Sequence, residues 1–130
     1  MKRPIVIQQK NSTQRRLLSD IVDSSWPYID VLEIETFQEL KQVADHQRFE
    51  CVFLELAPDI DNQAGWIEQS PDDVIGIINW KWNSAELEPY IAQGLFDFIV
   101  KPYQPARIER QLEFRRKFSN QREENRECAV

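Results

Sequence analysis

The sequence predicts one α/β domain in which a parallel five-stranded sheet carries helices on both faces. Three observations predict it. Short apolar runs alternate along the chain with segments whose apolar residues recur at helical spacing. The central runs are apolar almost without interruption, which is typical of strands buried on both faces of a parallel sheet. The length of 130 residues suits a single core without disulfides or a structural metal.

The first half of the chain has the pattern of strand, helix, strand and helix. Residues 5–7 form a β-branched run, and Ser12 or Thr13 is expected to cap the helix that follows. Residues 31–34 predict a second strand. Thr36 is the expected cap of a second helix. The apolar positions of these two helices are Leu17, Leu18, Ile21 and Val22, then Phe37, Leu40, Val43 and Ala44.

Three further strands are predicted at residues 51–56, 74–78 and 98–100. The first of them is apolar except for Glu55 near its carboxyl end. The third helix must fit between residues 57 and 73, a stretch that carries two prolines and a glycine. We therefore expect a shortened or irregular third helix, with a single helical turn or no regular turn at all.

Two amphipathic helices complete the pattern of five strand–helix repeats. Residues 85–94 predict a helix capped by Asn83 or Ser84, and a final helix is expected from Pro105 to about residue 118. Right-handed crossovers between the strands then give a doubly wound parallel sheet. We expect the domain to span residues 1–118, and residues 119–130 to form a frayed polar tail.

Composition narrows the possible functions. A formal charge of −6 repels phosphate backbones and anionic lipid, so neither nucleic acid nor membrane is an expected partner. One basic cluster alternates with acids, which is typical of a solvated helix face; it contains Arg107, Arg110, Arg115, Arg116 and Lys117. Cys51 and Cys128 lack metal-ligand spacing, so we expect free thiols and a cytoplasmic protein. The sequence has no phosphate-binding glycine loop or hydrolase nucleophile motif, and we expect no cofactor, no metal and no enzyme activity.

Residues 94–103 carry the most informative motif. They combine a strand-like run, Lys101 and a proline turn into the last helix. The chain up to about residue 118 resembles a response-regulator receiver domain of the chemotaxis-regulator type. In that family the lysine contacts a phosphorylated aspartate, an aromatic residue acts as a switch, and a Thr or Ser precedes the lysine at the spacing of Asn79. The resemblance implies a flavodoxin-like fold, with Glu55 at the acceptor position and Phe98 at the switch position.

The phosphorylation chemistry of the family does not carry over. Receivers bind Mg²⁺ through the acceptor and two acids after the first strand, and here those two positions hold Gln9 and Lys10. Lys10 places a cation where a metal-ligating anion is needed. Glu55 is one methylene longer than aspartate, and Asn79 lacks the hydroxyl that engages the phosphoryl group. The resemblance therefore predicts a degenerate pseudo-receiver whose altered site contains Gln9, Lys10, Glu55, Asn79 and Lys101.

The roles of several of these residues have two alternative interpretations. Glu55, Lys101 and Lys10 form either a fixed ion cluster that imitates the phosphorylated state or a remnant that is paired because a lone buried charge is costly. Phe98 is either a switch or a permanent core residue.

The role of a group of aromatic residues also has two alternative interpretations. Trp80, Trp82 and Tyr90 form either an exposed interface or a cover over the gap left by the third helix.

The leading functional hypothesis is a phosphorylation-independent module of two-component signal transduction that binds a protein partner, with a homodimer as one possibility. The rival hypothesis is a receiver-like domain that binds a small ligand in a remodelled cavity lined by Trp66, Trp80 and Lys101. A third hypothesis, an atypical receiver still phosphorylated on Glu55 or Asp59, is disfavoured by the missing metal-binding acids.

Overall fold

The computed structural model describes residues 3–58, 60 and 62–128, with side chains described up to residue 118. The strands are β1 (Ile5–Gln8), β2 (Val31–Ile34), β3 (Cys51–Glu55), β4 (Val74–Asn79) and β5 (Asp97–Lys101). The helices are α1 (Ser12–Ser25), α2 (Phe37–Ala44), α3 (Gln63–Gln69), α4 (Ser84–Ala92) and α5 (Pro105–Cys128).

The five strands form one parallel sheet in the order β2-β1-β3-β4-β5. The chain therefore winds outward from β1 in one direction and then returns to wind outward in the other. This change of direction places a switch point between β1 and β3, at the carboxyl edge of the sheet. The predicted flavodoxin-like, doubly wound fold is confirmed.

Alternate strand residues build two core layers, because successive side chains in a strand point to opposite faces. One layer lies under α1 and α5 and includes Ile7, Phe53, Ile77, Ile99, Leu18 and Leu112. The other lies under α2, α3 and α4 and includes Val6, Leu54, Ile78, Leu40, Ile67 and Leu87. Residues of odd number in β3 and β5 therefore face the α1–α5 layer.

The helix caps agree with the sequence prediction at two of three helices. Thr36 and Asn83 accept the backbone N–H groups of Glu39 and Glu86, as expected of N-cap residues. The cap of α1 is Asn11, whose side chain accepts the N–H of Gln14. The prediction of Ser12 or Thr13 as this cap is wrong, because α1 begins one residue earlier than its apolar pattern indicates.

The third helix is short but regular. α3 spans seven residues, or about two turns, so the predicted shortening is confirmed and the expectation of a single turn or irregular structure is wrong. Gln63 accounts for this order, because its buried side chain closes the connection from β3. Its Oε1 accepts the N–H of Ala57 at 2.9 Å, and its Nε2 donates to the carbonyl of Glu55 at 2.9 Å.

The last helix differs from the prediction in two ways. α5 continues through residue 128 instead of ending near residue 118, so residues 119–128 extend the helix rather than fray from it. Arg115 is buried and reaches the amino ends of β3 and β4, where it donates to the Glu50 carbonyl and to the Asp73 carboxylate. The prediction of a uniformly solvated basic face is therefore wrong at Arg115. Within the part of the chain that the structure describes, no helix has the length and apolar character that a membrane span requires.

Candidate functional site

The candidate site lies at the carboxyl edge of the sheet, where β1, β3 and β5 end. Glu55 is the last residue of β3, and Lys101 is the last residue of β5. Both continue the rows of Phe53 and Ile99, which face the α1–α5 layer. The two charged side chains therefore point to the same side of the sheet, with β4 between their strands.

Glu55 and Lys101 form an ion pair. The Lys101 Nζ lies 3.1 Å from Glu55 Oε2, and the two side chains are 27% and 23% exposed. The other carboxylate oxygen, Oε1, accepts the backbone N–H of Lys10 at 3.2 Å. The predicted pairing of Glu55 with Lys101 is confirmed, and each oxygen of the Glu55 carboxylate already has a hydrogen-bond donor.

Lys10 contributes its backbone rather than its charge. The residue is exposed, and among the described residues its ammonium forms no ion pair with Glu55. The prediction that Lys10 shares the carboxylate through its side chain is wrong. The chain turns into α1 directly after this position, at the cap residue Asn11, and that turn aims the Lys10 amide at Glu55. An exposed ammonium keeps its hydration, which an ion pair in the site would have removed.

Gln9, the residue after β1, is fully buried. Its Oε1 accepts a hydrogen bond from the hydroxyl of Tyr103 at 2.7 Å, and its backbone carbonyl accepts one from Arg15 Nη1 at 2.7 Å. Burial raises the pKa of Tyr103 well above its ordinary value, against the opposing effect of the hydrogen bond to Gln9. Tyr103 therefore remains a neutral donor at physiological pH, and Gln9 is held in the protein interior.

Sequence reasoning missed Tyr103 and Gln8. Tyr103 lies two residues beyond Lys101, and that even spacing is the signal that could have indicated a shared side of the strand end. Gln8 connects three segments: its Nε2 donates to the carbonyl of Glu35 at 2.9 Å, and its Oε1 accepts the N–H of Glu55 at 3.2 Å. Amide side chains thus supply the hydrogen bonds that hold the backbone around the Glu55 carboxylate.

Asn79 lies beside Lys101 in the sheet register but engages its own turn. Its Oδ1 accepts the N–H of Lys81 at 2.9 Å, which closes the turn after β4. Phe98 points to the opposite face of β5 and is partly buried against the layer under α2, α3 and α4. Phe98 therefore packs at the border of this core layer, and part of its side chain stays exposed.

The three aromatic residues predicted as a possible interface do not form one exposed patch. Trp80 is 74% exposed, and Lys81 Nζ lies 5.6 Å from the centre of its ring. Tyr90 is only 8% exposed, and Trp82 packs edge-on against it with 5.8 Å between ring centres. Tyr90 belongs to the core layer that also contains Ile67 of α3. The expectation of an exposed face is therefore wrong for Tyr90 and Trp82, and Trp80 alone meets it.

Two of the three residues predicted to line a ligand cavity, Trp80 and Lys101, share a groove, and the third, Trp66, lies elsewhere. Trp66 packs edge-on against Phe37 of α2, with 5.7 Å between ring centres. A groove of about 230 Å³ lies beside Trp80 and Lys101, but its lining includes neither Trp66 nor Glu55. This volume is below the roughly 300–1,000 Å³ typical of ligand sites, so the groove does not favour the ligand hypothesis.

Few described side chains around Glu55 could act as ligands to a metal ion. Among the described residues, no group of three or more His, Cys, Asp or Glu side chains is placed to hold one. The candidate ligand Glu55 already bonds Lys101 and the Lys10 amide. Asp59, the other residue considered as a phosphorylation site, lies outside the described residues.

Comparison with known proteins identifies the fold. The chain is similar to the signal receiver domain of a DNA-binding response regulator from Colwellia psychrerythraea 34H, with a TM-score of 0.76 and 15% identity over 86% of this chain and 96% of that one. It is similar to the N-terminal receiver domain of a two-component response regulator from Bacteroides fragilis, with a TM-score of 0.71 and 16% identity over 88% and 97% of the two chains. A response regulator receiver modulated diguanylate cyclase from Pelobacter carbinolicus matches with a TM-score of 0.69 and 22% identity over 95% and 99%. No family model and no curated protein matches the sequence. The chain therefore has the receiver fold.

Proposed function

We propose that this chain is a pseudo-receiver: a non-enzymatic module of two-component-type signal transduction that acts in the cytoplasm by binding a protein partner, without Mg²⁺-dependent aspartyl phosphorylation. The receiver fold supports the signalling role. The altered site supports the loss of phosphorylation.

One observation carries the proposal. The carboxylate at the acceptor position is held by Lys101 Nζ at 3.1 Å and by the Lys10 amide at 3.2 Å. Phosphoryl transfer depends on an acceptor oxygen aligned with the incoming group and on a metal that neutralises the charge of that group. Here both carboxylate oxygens are engaged, and the two positions expected to bind the metal carry an amide and a cation.

The burial of Gln9 strengthens this argument. Gln9 is fully buried, and its Oε1 is occupied by the Tyr103 hydroxyl. A metal ligand at this position would need to leave that hydrogen bond and turn toward the site. The internal bonds of the site thus favour one fixed arrangement of Glu55 and Lys101, which suits a constitutive binding module better than a phosphorylation switch.

Intact-mass spectrometry after incubation with acetyl phosphate and Mg²⁺ tests the loss of phosphorylation. We expect no phosphoryl adduct under conditions in which a phosphorylatable receiver is labelled in the same tube. An adduct that disappears in the Glu55→Gln variant would show that Glu55 accepts phosphate and would overturn the proposal.

A further inference from the structure

A groove lies between α5 and the amino ends of β4 and β5, whereas the Glu55–Lys101 pair lies at the carboxyl edge of the sheet. Its volume is about 670 Å³, which falls within the roughly 300–1,000 Å³ typical of small-molecule sites. We call it the phenylalanine groove; the lining residues that matter most are Ile75, Phe96, Arg107, Arg110, Leu112 and Phe114.

The groove has aromatic walls above a buried floor. Phe96 precedes β5, and Phe114 and Phe118 lie about one turn apart on α5; each of these residues is more than half exposed. Ile75 and Leu112 are buried and form the floor. Aromatic rings attract other rings in edge-to-face and offset arrangements, so this lining favours a ligand with an aromatic body.

The two acidic residues of the lining are already engaged within the protein. Asp73 Oδ2 accepts a hydrogen bond from Arg115 Nη2 at 2.6 Å, so these two opposite charges form an ion pair. The Asp97 oxygens accept hydrogen bonds from the backbone N–H of Phe98 and from Nε2 of Gln111, each at 2.8 Å. Among the described residues Asp97 has no cationic partner, so an anionic group of a ligand must lie away from it.

Two arginines supply the opposite charge on the α5 side of the groove. Arg107 and Arg110 are exposed, and no described acidic side chain forms an ion pair with either. They are three residues apart, which places them on one face of the helix. Glu109 and Glu113, the acids that flank Arg110 in sequence, line a separate groove beside the end of α1. Two unpaired arginines against the one unpaired Asp97 leave a positive charge, and the guanidinium donors match the two oxygens of a carboxylate.

We propose that the phenylalanine groove binds a small aromatic carboxylate. The ring system packs between Phe96 and Phe114 above the floor, and the carboxylate accepts hydrogen bonds from Arg107 and Arg110. This binding goes beyond the proposed function, because it requires neither a protein partner nor the Glu55 site. Only its use as a chemical input in place of phosphorylation rests on the proposed function.

Isothermal titration calorimetry of the full chain with three naphthalene probes tests the site. The probes share one ring system and differ in the head group: 2-naphthoate carries a carboxylate, 2-naphthamide is neutral, and 2-naphthylmethylamine is a cation at neutral pH. We expect 2-naphthoate to bind with a Kd of about 1 mM or lower. The amide should bind about tenfold more weakly, and the amine more weakly still. Phe114→Ala and Arg110→Gln should each weaken 2-naphthoate binding by about tenfold.

NMR amide signals locate the bound probe. Saturating 2-naphthoate should shift the signals of Phe96, Arg110 and Phe114 and leave those of Glu55 and Lys101 unchanged. Saturable shifts confined to Glu55 and Lys101 would place the probe at the other edge of the sheet and would overturn the proposal.

Matched controls separate the groove from general stickiness. Ile91→Ala removes an apolar side chain on α4 that is 53% exposed, and Lys81→Gln removes an exposed charge; neither should change 2-naphthoate binding. Circular dichroism melts should show that Phe114→Ala folds normally, because Phe114 is 71% exposed.

Three calorimetric outcomes would overturn the proposal: no saturable binding of 2-naphthoate, equal binding of the three probes, or equal losses in the control variants. Self-association in sedimentation velocity that Phe114→Ala abolishes would assign the groove to a second copy and would also overturn it. The acetyl phosphate test reports only on the Glu55 site, so either proposal can fail while the other stands.

Discussion

Replacement of Lys101 by methionine tests whether the Glu55–Lys101 pair holds the site together. Methionine keeps most of the aliphatic length of the lysine side chain and removes its charge, so the change is mainly electrostatic. Glu55 would keep its hydrogen bond from the Lys10 amide but lose its ion-pair partner.

The burial of the pair determines how much unfolding free energy Lys101→Met should lose. Exposed ion pairs contribute about 0–1 kcal/mol, whereas removal of one partner from a buried pair costs about 3–5 kcal/mol. The Lys101 and Glu55 side chains are 27% and 23% exposed, which lies between these cases and nearer the buried one. We expect Lys101→Met to lose about 2 kcal/mol of unfolding free energy, equivalent to a fall in Tm of about 6–10 °C for a domain of this size.

A double-mutant cycle isolates the interaction. Urea unfolding of wild type, Lys101→Met, Glu55→Gln and the double variant should give a coupling energy of about 1–2 kcal/mol. Lys81→Met serves as the matched control, because Lys81 is exposed and its ammonium contacts only the Trp80 ring in the described structure. The control should lose less than about 0.5 kcal/mol. If Lys101→Met unfolds at the same urea concentration as wild type, the pair is a solvated remnant and the argument for a fixed site fails.

Three further predictions concern the rest of the domain. Arg115→Met should lower the free energy of unfolding, measured with urea, by about 3 kcal/mol, because the Glu50 carboxylate and carbonyl lose their guanidinium partner. A decrease below about 1 kcal/mol would contradict this prediction. Burial raises the pKa of the Cys51 thiol to about 12, so above about pH 9 the unfolded chain binds fewer protons than the folded one. Stability should then fall by up to about 1.4 kcal/mol per pH unit between pH 9 and 12, and Cys51→Ala should reduce that slope; an equal slope in both proteins would refute the assignment. Trp82→Ala should lower the free energy of unfolding by about 2 kcal/mol and leave self-association, measured by sedimentation velocity, unchanged. Altered association with normal stability would instead indicate that Trp82 belongs to an interface.

The fold could be predicted because the strands of a parallel sheet have a recognisable sequence pattern. Their runs are apolar on both faces, and the helices between them repeat at a different period. The Glu55–Lys101 pair could be predicted from the resemblance to receiver domains, in which the lysine of the last strand contacts the acceptor residue. The fold makes this contact feasible, since polar residues at the carboxyl ends of parallel strands meet at one edge of the sheet.

The features that sequence reasoning missed depend on distances in space. The Tyr103 hydroxyl bonds Gln9, which is 94 residues away, and Arg115 bonds the Glu50 carbonyl, which is 65 residues away. The local sequence pattern does not report such contacts, so it groups Arg115 with exposed neighbours on the same helix.

The most direct test of the pseudo-receiver account is a titration with Mg²⁺, with and without beryllofluoride, followed by the NMR amide signals of Lys10, Glu55 and Lys101. Both carboxylate oxygens of Glu55 are engaged, and Gln9 and Lys10 occupy the two positions to which the receiver resemblance assigns metal-binding acids, so the account predicts no saturable change at millimolar Mg²⁺. A saturable shift of these three amides that is lost in Glu55→Gln would show that the site binds metal and the phosphoryl analogue, and would contradict the account.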